Sequence, residues 1–184
     1  MFNFGYPYRC EVKDGFTIDS IKERLIVLVE GHHTSFQTNN AVIGFCSEYK
    51  TIKYFPRGLE KVFPNIKSIY IWHAGLKQIE QADLEPLRSL VDFDVWGNEI
   101  KEIPKDLFKY NTELKHISFT DNRITFIDPN VFDNLNGLAG LFLDKTASYD
   151  WDPCVNFRIE NDRDAVVEAI RELEGKCVKK SDEN

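Results

Sequence analysis

Apolar positions recur through the middle of this chain with two nested periods, and together they predict a stacked coil. Four segments begin at Ile66, Leu90, Leu114 and Leu138, each 24 residues after the one before. They read IKSIYIWHAGLKQIEQ, LVDFDVWGNEIKEIPK, LKHISFTDNRITFIDP and LAGLFLDKTASYDWDP. The first three share apolar residues at repeat positions 1, 4, 6, 11 and 14. One such unit cannot bury its own apolar side, so neighbours must stack to build a continuous core.

Inside each repeat the shorter period is that of a strand. Phe93 and Val95 alternate with Asp92, Asp94 and Trp96, and the pattern returns at Ile69 and Ile71, Ile117 and Phe119, and Leu141 and Leu143. Such alternation places one face of a short strand in the core. Asn98 and Asn122 stand where the chain must leave the strand, and an amide there can bond backbone groups freed by the turn, including those of the adjacent repeat. Leu84, Phe108 and Phe132 share position 19, and Phe63, Leu87 and Leu135 share position 22, so both rows are expected to fill the outer side. Asn111 interrupts the second row, which predicts looser packing at that point.

The pattern L-x-x-L-x-L-x-x-N-x-L-x-x-I with an outer F-x-x-L, running from Ile66 to about Leu143, resembles the leucine-rich repeat family. Its length and outer phenylalanines are similar to the extracellular type of Toll and Slit proteins. The resemblance implies an α/β fold: a short solenoid with a parallel sheet on the concave side and an irregular convex side. It also implies binding by exposed strand residues, in innate immunity or receptor-type recognition. Ala74 and Thr146 depart from the expected Asn, so the end repeats are worn.

The flanks read as caps. Residues 1–64 form an N-terminal β cap with a half repeat from Val42, which has Ser47 where position 6 should be apolar. Within it, Arg24 to Glu30 is a β-branched run suited to a strand. Residues 65–148 hold the repeats, 149–178 a C-terminal helical cap, and 179–184 a disordered tail. Asn161 to Glu174 carries Ala165, Val166, Ala169, Ile170 and Leu173 at helical spacing, with Gly175 as a stop.

Composition narrows the function. A net charge of −7 opposes a nucleic-acid partner, since phosphate contacts need clustered Lys and Arg. No apolar run approaches the ~20 residues that span a bilayer. MFNFGYPYRC lacks the basic start and apolar stretch of a signal peptide, so a secreted form would be a mature chain with an added methionine. Cys10 and Cys46 precede the repeats, and Cys154 and Cys177 follow them. Stapled caps suit bare solenoid ends in an oxidising compartment, giving Cys10–Cys46 and Cys154–Cys177 among three possible connectivities. Four reduced thiols in a cytosolic protein are the alternative. No spacing suggests zinc or another metal, and no cofactor motif occurs.

The expected ligand face is concave: Tyr70, Trp72, His73, Asp92, Asp94, Trp96, His116, Ser118, Phe142 and Asp144. Trp72 and Trp96 share position 7 and should stand about 5 Å apart on adjacent strands. An exposed aromatic ladder suits a binding hot spot, and the neighbouring carboxylates suit a basic or polar partner. Asp92 and Asp94 point the same way, but alternating strand residues commonly do, and no motif sets a nucleophile beside a histidine, so no enzyme is expected. Three functions follow: a secreted module binding a protein or glycan, a self-associating matrix component (a homodimer), or an inhibitor of a secreted enzyme.

Overall fold

The computed structural model describes residues 8–27, 37–144 and 157–173. Seven short strands make one sheet in a stacked coil: β1 (Arg9–Glu11), β3 (Gly44–Glu48), β5 (Ser68–Trp72), β6 (Asp92–Asp94), β8 (His116–Ser118), β10 (Gly140–Phe142) and β11 (Arg158–Ile159). Pairing is parallel from β1 through β10, and only β11 runs antiparallel to its neighbour. Two further ladders lie along the outer side, β2 (Thr17–Ile18) with β4 (Thr51–Ile52) and β7 (Glu102–Ile103) with β9 (Phe126–Ile127). Short helices α1 (Leu59–Val62) and α2 (Gln81–Leu84) cross that side, and α3 (Arg163–Leu173) closes the C-terminal end.

The register reproduces the sequence repeat. Phe45, Ile69, Phe93, Ile117 and Leu141 form one continuous row across the sheet, and all are buried. Phe93 sits at the hub of the core, with ring centroids 5.8 Å from Phe108, 6.0 Å from Phe119 and 6.3 Å from Phe55. Asn98 and Asn122 behave as their position requires. The Asn98 carbonyl accepts from the N–H groups of Ala74 and Leu76, while its amide donates to the carbonyls of Ile71, Val95 and Trp96. Asn122 accepts from Ile100 and donates to Val95, Phe119 and Thr120. Each amide therefore ties its own turn to the repeat before it, and Asn98 supplies what Ala74 cannot.

Several expectations are corrected. Asn111 does not loosen the outer side: it is wholly buried, and its amide donates to the carbonyls of Leu84 and Leu87 at 3.0 and 2.8 Å. The half repeat at Val42 forms a full strand, because backbone pairing with β5 over five residues does not need an apolar Ser47. Its hydroxyl is buried and unpartnered. The run from Arg24 is no strand in its described part. Leu25 makes a single bridge to Arg57, and Leu25 and Val27 stay exposed. Two backbone hydrogen bonds with Arg57 hold that segment together with charge: Arg24 and Arg57 both bond Asp83 Oδ1, at 3.1 and 2.6 Å, on a buried carboxylate that also caps α2.

Asp162 caps the start of α3, its side chain accepting from the Ala165 N–H. It buries Val166, Ala169 and Leu173, close to the face read from the sequence. Cys10 and Cys46 are free thiols. Cys10 pairs in register with Phe45 and Cys46 with Glu11, so the two side chains leave opposite faces of the sheet, and no staple joins them. Burial pushes both thiols up, Cys46 to about 11. Cys154, Cys177 and the tail lie outside the described residues.

Candidate interaction surface

The concave side divides into a floor and a rim. On the floor, Tyr70, Asp94, Ser118 and Phe142 form one row, and every one is buried. The neighbouring row runs through Ser68, Asp92 and His116 to Gly140. Its polar groups bond each other: Ser68 Oγ donates to Asp92 Oδ2 at 3.2 Å, and Asp92 Oδ1 meets His116 Nδ1 at 2.8 Å. His116 Nε2 then meets Asn161 Oδ1 at 3.2 Å. Burial disfavours the His116 cation, but the hydrogen bonds to Asp92 and Asn161 and the Asp92 charge outweigh it and raise the pKa. A Cβ on Gly140 would collide with this ring, so only glycine fits beneath it.

This row holds serine, aspartate and histidine in an order unsuited to nucleophilic catalysis. The hydroxyl bonds the carboxylate instead of the imidazole, and the far ring nitrogen is engaged by Asn161, so nothing prepares Ser68 to attack. Asp94 is the second unusual group. Burial pushes its carboxyl up to about 6, against hydrogen bonds from Ser118 and the Trp96 N–H. The Trp72 indole N–H also faces it without completing a hydrogen bond. Asp144 accepts from Thr120 at 2.8 Å and pairs with Arg158 at 3.3 Å. Among the described residues, no cluster of three metal-ligating side chains forms.

Of the expected ligand residues, then, Tyr70, Asp92, Asp94, Ser118 and Phe142 are buried. Phe142 lies under the Arg158 guanidinium, 5.3 Å from its ring centre, because β11 folds back beside it. Tyr70 is so far withdrawn from water that burial pushes its phenol up to about 12. Trp72, His73 and Trp96 remain half exposed at the rim where the strands end. The two indoles do not build the expected ladder, since each finds a different partner: Trp72 with Tyr70 at 5.6 Å, Trp96 edge-on to His73 at 4.5 Å.

The rim has a repeat of its own. Tyr49, His73, Gly97 and Asp121 all occupy repeat position 8, and all adopt left-handed backbone, with φ of 53°, 48°, 71° and 53°. Each donates its N–H to the carbonyl one position earlier in the following repeat: Trp72, Trp96, Thr120 and Asp144. That conformation turns position 8 to the edge of the sheet, where two of its side chains stack. The Tyr49 and His73 rings lie parallel at 5.0 Å, 3° apart. His73 in turn rests on Gly97, where a Cβ would clash with its ring. Tyr49 is 69% exposed, the largest aromatic surface offered to a partner among the described residues. It was missed in the sequence because position 8 looks like a turn residue, and only its spacing from His73 marked it.

The sequence profile of the leucine rich repeat matches residues 88–147. Those residues are leucine-rich repeats. Among solved structures, one chain of the Drosophila Toll–Spätzle complex shares 21% identity at a TM-score of 0.55, covering 58% of this chain and 14% of that one. A glycosylated form of the same complex gives 22% identity and a TM-score of 0.53, covering 64% of this chain and 16% of that one. The chain thus corresponds to a small part of the length of these neighbours, and the likeness bears on fold. No curated protein matches its sequence. No described helix of the array is long and apolar enough to cross a membrane.

Proposed function

We propose that this chain is a protein-recognition module of an extracellular protein, and that it takes its partner on the rim of the sheet at Tyr49, Trp72, His73 and Trp96. The observation that carries this reading is the open aromatic stack. Aromatic side chains with one face in water and the other fixed by neighbours are the usual anchors of protein interfaces. Tyr49 has that arrangement, pinned on one side by His73 and open on the other. The floor is a poorer candidate, because its polar groups already satisfy one another. The fold-level likeness to chains of the Toll–Spätzle complex, a hub in Drosophila development and innate immunity, supports a protein partner and a role of that type. Extracellular placement rests on the fold-level likeness to the glycosylated form of that complex, since Cys10 and Cys46 stay unpaired.

The test is capture from the native extracellular fluid on immobilised protein. Wild type is compared with a Tyr49→Ala/Trp96→Ala variant and with Ser118→Ala on the floor, all checked by circular dichroism. Retention by wild type and the floor variant, with loss in the rim variant, supports the proposal. Retention by all three moves the site off the rim. Concentration-dependent dimerisation with no partner retained would favour self-association.

A further inference from the structure

The accessible edge offers ammonium groups to solvent, whereas the carboxylates of the floor are held inside the sheet. Beside Tyr49 and His73 lies an open groove of about 490 Å³, lined also by Lys50, Lys53, Lys77 and Glu99. Three lysines thus stand at this groove, with Glu99 in its lining and Asp14 and Asp19 beside it. Glu99 is partly neutralised by Arg123 at 3.6 Å. Lys50 and Lys53 are each held by an exposed aspartate of the N-terminal segment, Asp14 and Asp19, both at 2.5 Å. An ammonium has three N–H donors, so one such partner positions the group and leaves donors for another acceptor. Lys77 is exposed and makes no ion pair among the described residues. The floor carboxylates, by contrast, are tied to Ser68, His116, Thr120 and Arg158 and do not reach this edge.

From this arrangement we infer that the groove receives an acidic, extended stretch of the partner protein. Its carboxylates meet Lys50, Lys53 and Lys77, and an apolar or aromatic side chain lies on the open face of Tyr49. The inference rests on the reading of the chain as a protein-recognition module and gives that partner's contact segment a sign. It reverses the expectation drawn from Asp92, Asp94 and Asp144, because those charges are consumed within the sheet. Rim charges chiefly set encounter rate and specificity, so the signature is a strong dependence on ionic strength.

Two short synthetic peptides, one of alternating Glu and Tyr and one of alternating Lys and Tyr, serve as probes in amide-resolved NMR titrations. The Glu–Tyr peptide is expected to shift the amides of Thr51, Ala74 and Gly75, with the shifts fading toward ~1 M salt. A Lys50→Glu/Lys53→Glu/Lys77→Glu variant, folded by circular dichroism, is expected to exchange preference to the Lys–Tyr peptide. No groove shifts with the acidic peptide, or equal shifts with both, would overturn the inference. The captured partner separates the two claims. Loss of about tenfold or more in affinity in both Tyr49→Ala and the lysine variant supports both. Loss in Tyr49→Ala alone leaves the rim reading standing and removes the acidic segment.

Discussion

The floor and the rim of the sheet are built from consecutive residues of the same repeats, yet they solve opposite problems. On the floor, Asp92, His116, Ser68, Thr120 and Asp144 are joined in chains of hydrogen bonds and are largely withdrawn from water. At the rim, one residue per repeat turns left-handed and its side chain leaves the sheet. Two or three positions along the strand separate a group that stabilises the coil from one that is available to a partner. Alternation in a strand says which side a residue faces; it does not say whether the facing surface is free.

Substitutions can break this contrast. The largest effect is expected for Asn98→Ala, which removes five hydrogen bonds from buried backbone and leaves those groups unpaired. It should lower stability by about 3–5 kcal/mol in denaturant unfolding, since each orphaned buried group costs roughly 1–3 kcal/mol and the turn relaxes in part. Asp94→Asn acts in the other direction. The folded carboxyl, raised to about 6, holds its proton where the unfolded chain has lost it. Its favourable contribution is full below about pH 4 and is lost as pH rises to about 6. The Asn variant should therefore be more stable at pH 7 by on the order of 2–3 kcal/mol, with the difference disappearing in melts near pH 4. His116 behaves with the same sign: its raised pKa gives stability below neutral pH that fades as pH rises through the folded value.

At the rim, Gly97→Ala is expected to cost about 1–3 kcal/mol, from the left-handed backbone and the clash with His73. It should also part His73 from Tyr49, visible as changed ring proton shifts. Tyr49→Ala should alter stability by less than about 0.5 kcal/mol, as an exposed position does. If it instead destabilises the fold like Asn98→Ala, the rim is structural and the contrast fails.

Much of the fold was legible in the sequence, because burial in a solenoid repeats with the chain. The apolar rows, the paired asparagines and the face of α3 all followed from spacing. The site was less legible. Tyr70 and Phe142 alternate like exposed residues, but what covers them is contributed from elsewhere in the chain, as with Arg158 over Phe142. Asn111 looked like a defect because an amide in an apolar row cannot be distinguished by pattern from a structural one; only the two carbonyls facing it decide. The left-handed column had a faint signal in Gly97, but Tyr49 and His73 in that conformation depend on the ladder of N–H bonds to the next repeat.

The direction of β11 has a consequence for assembly. A parallel stack presents, at its last strand, an edge that another copy's coil can continue, which is how open arrays grow into fibres. Here the edge of β10 is occupied by two residues running the other way, with exposed Arg158 and Glu160 on and beside that strand. An incoming parallel strand would meet reversed polarity and exposed charge at this edge, which disfavours continuing the ladder there.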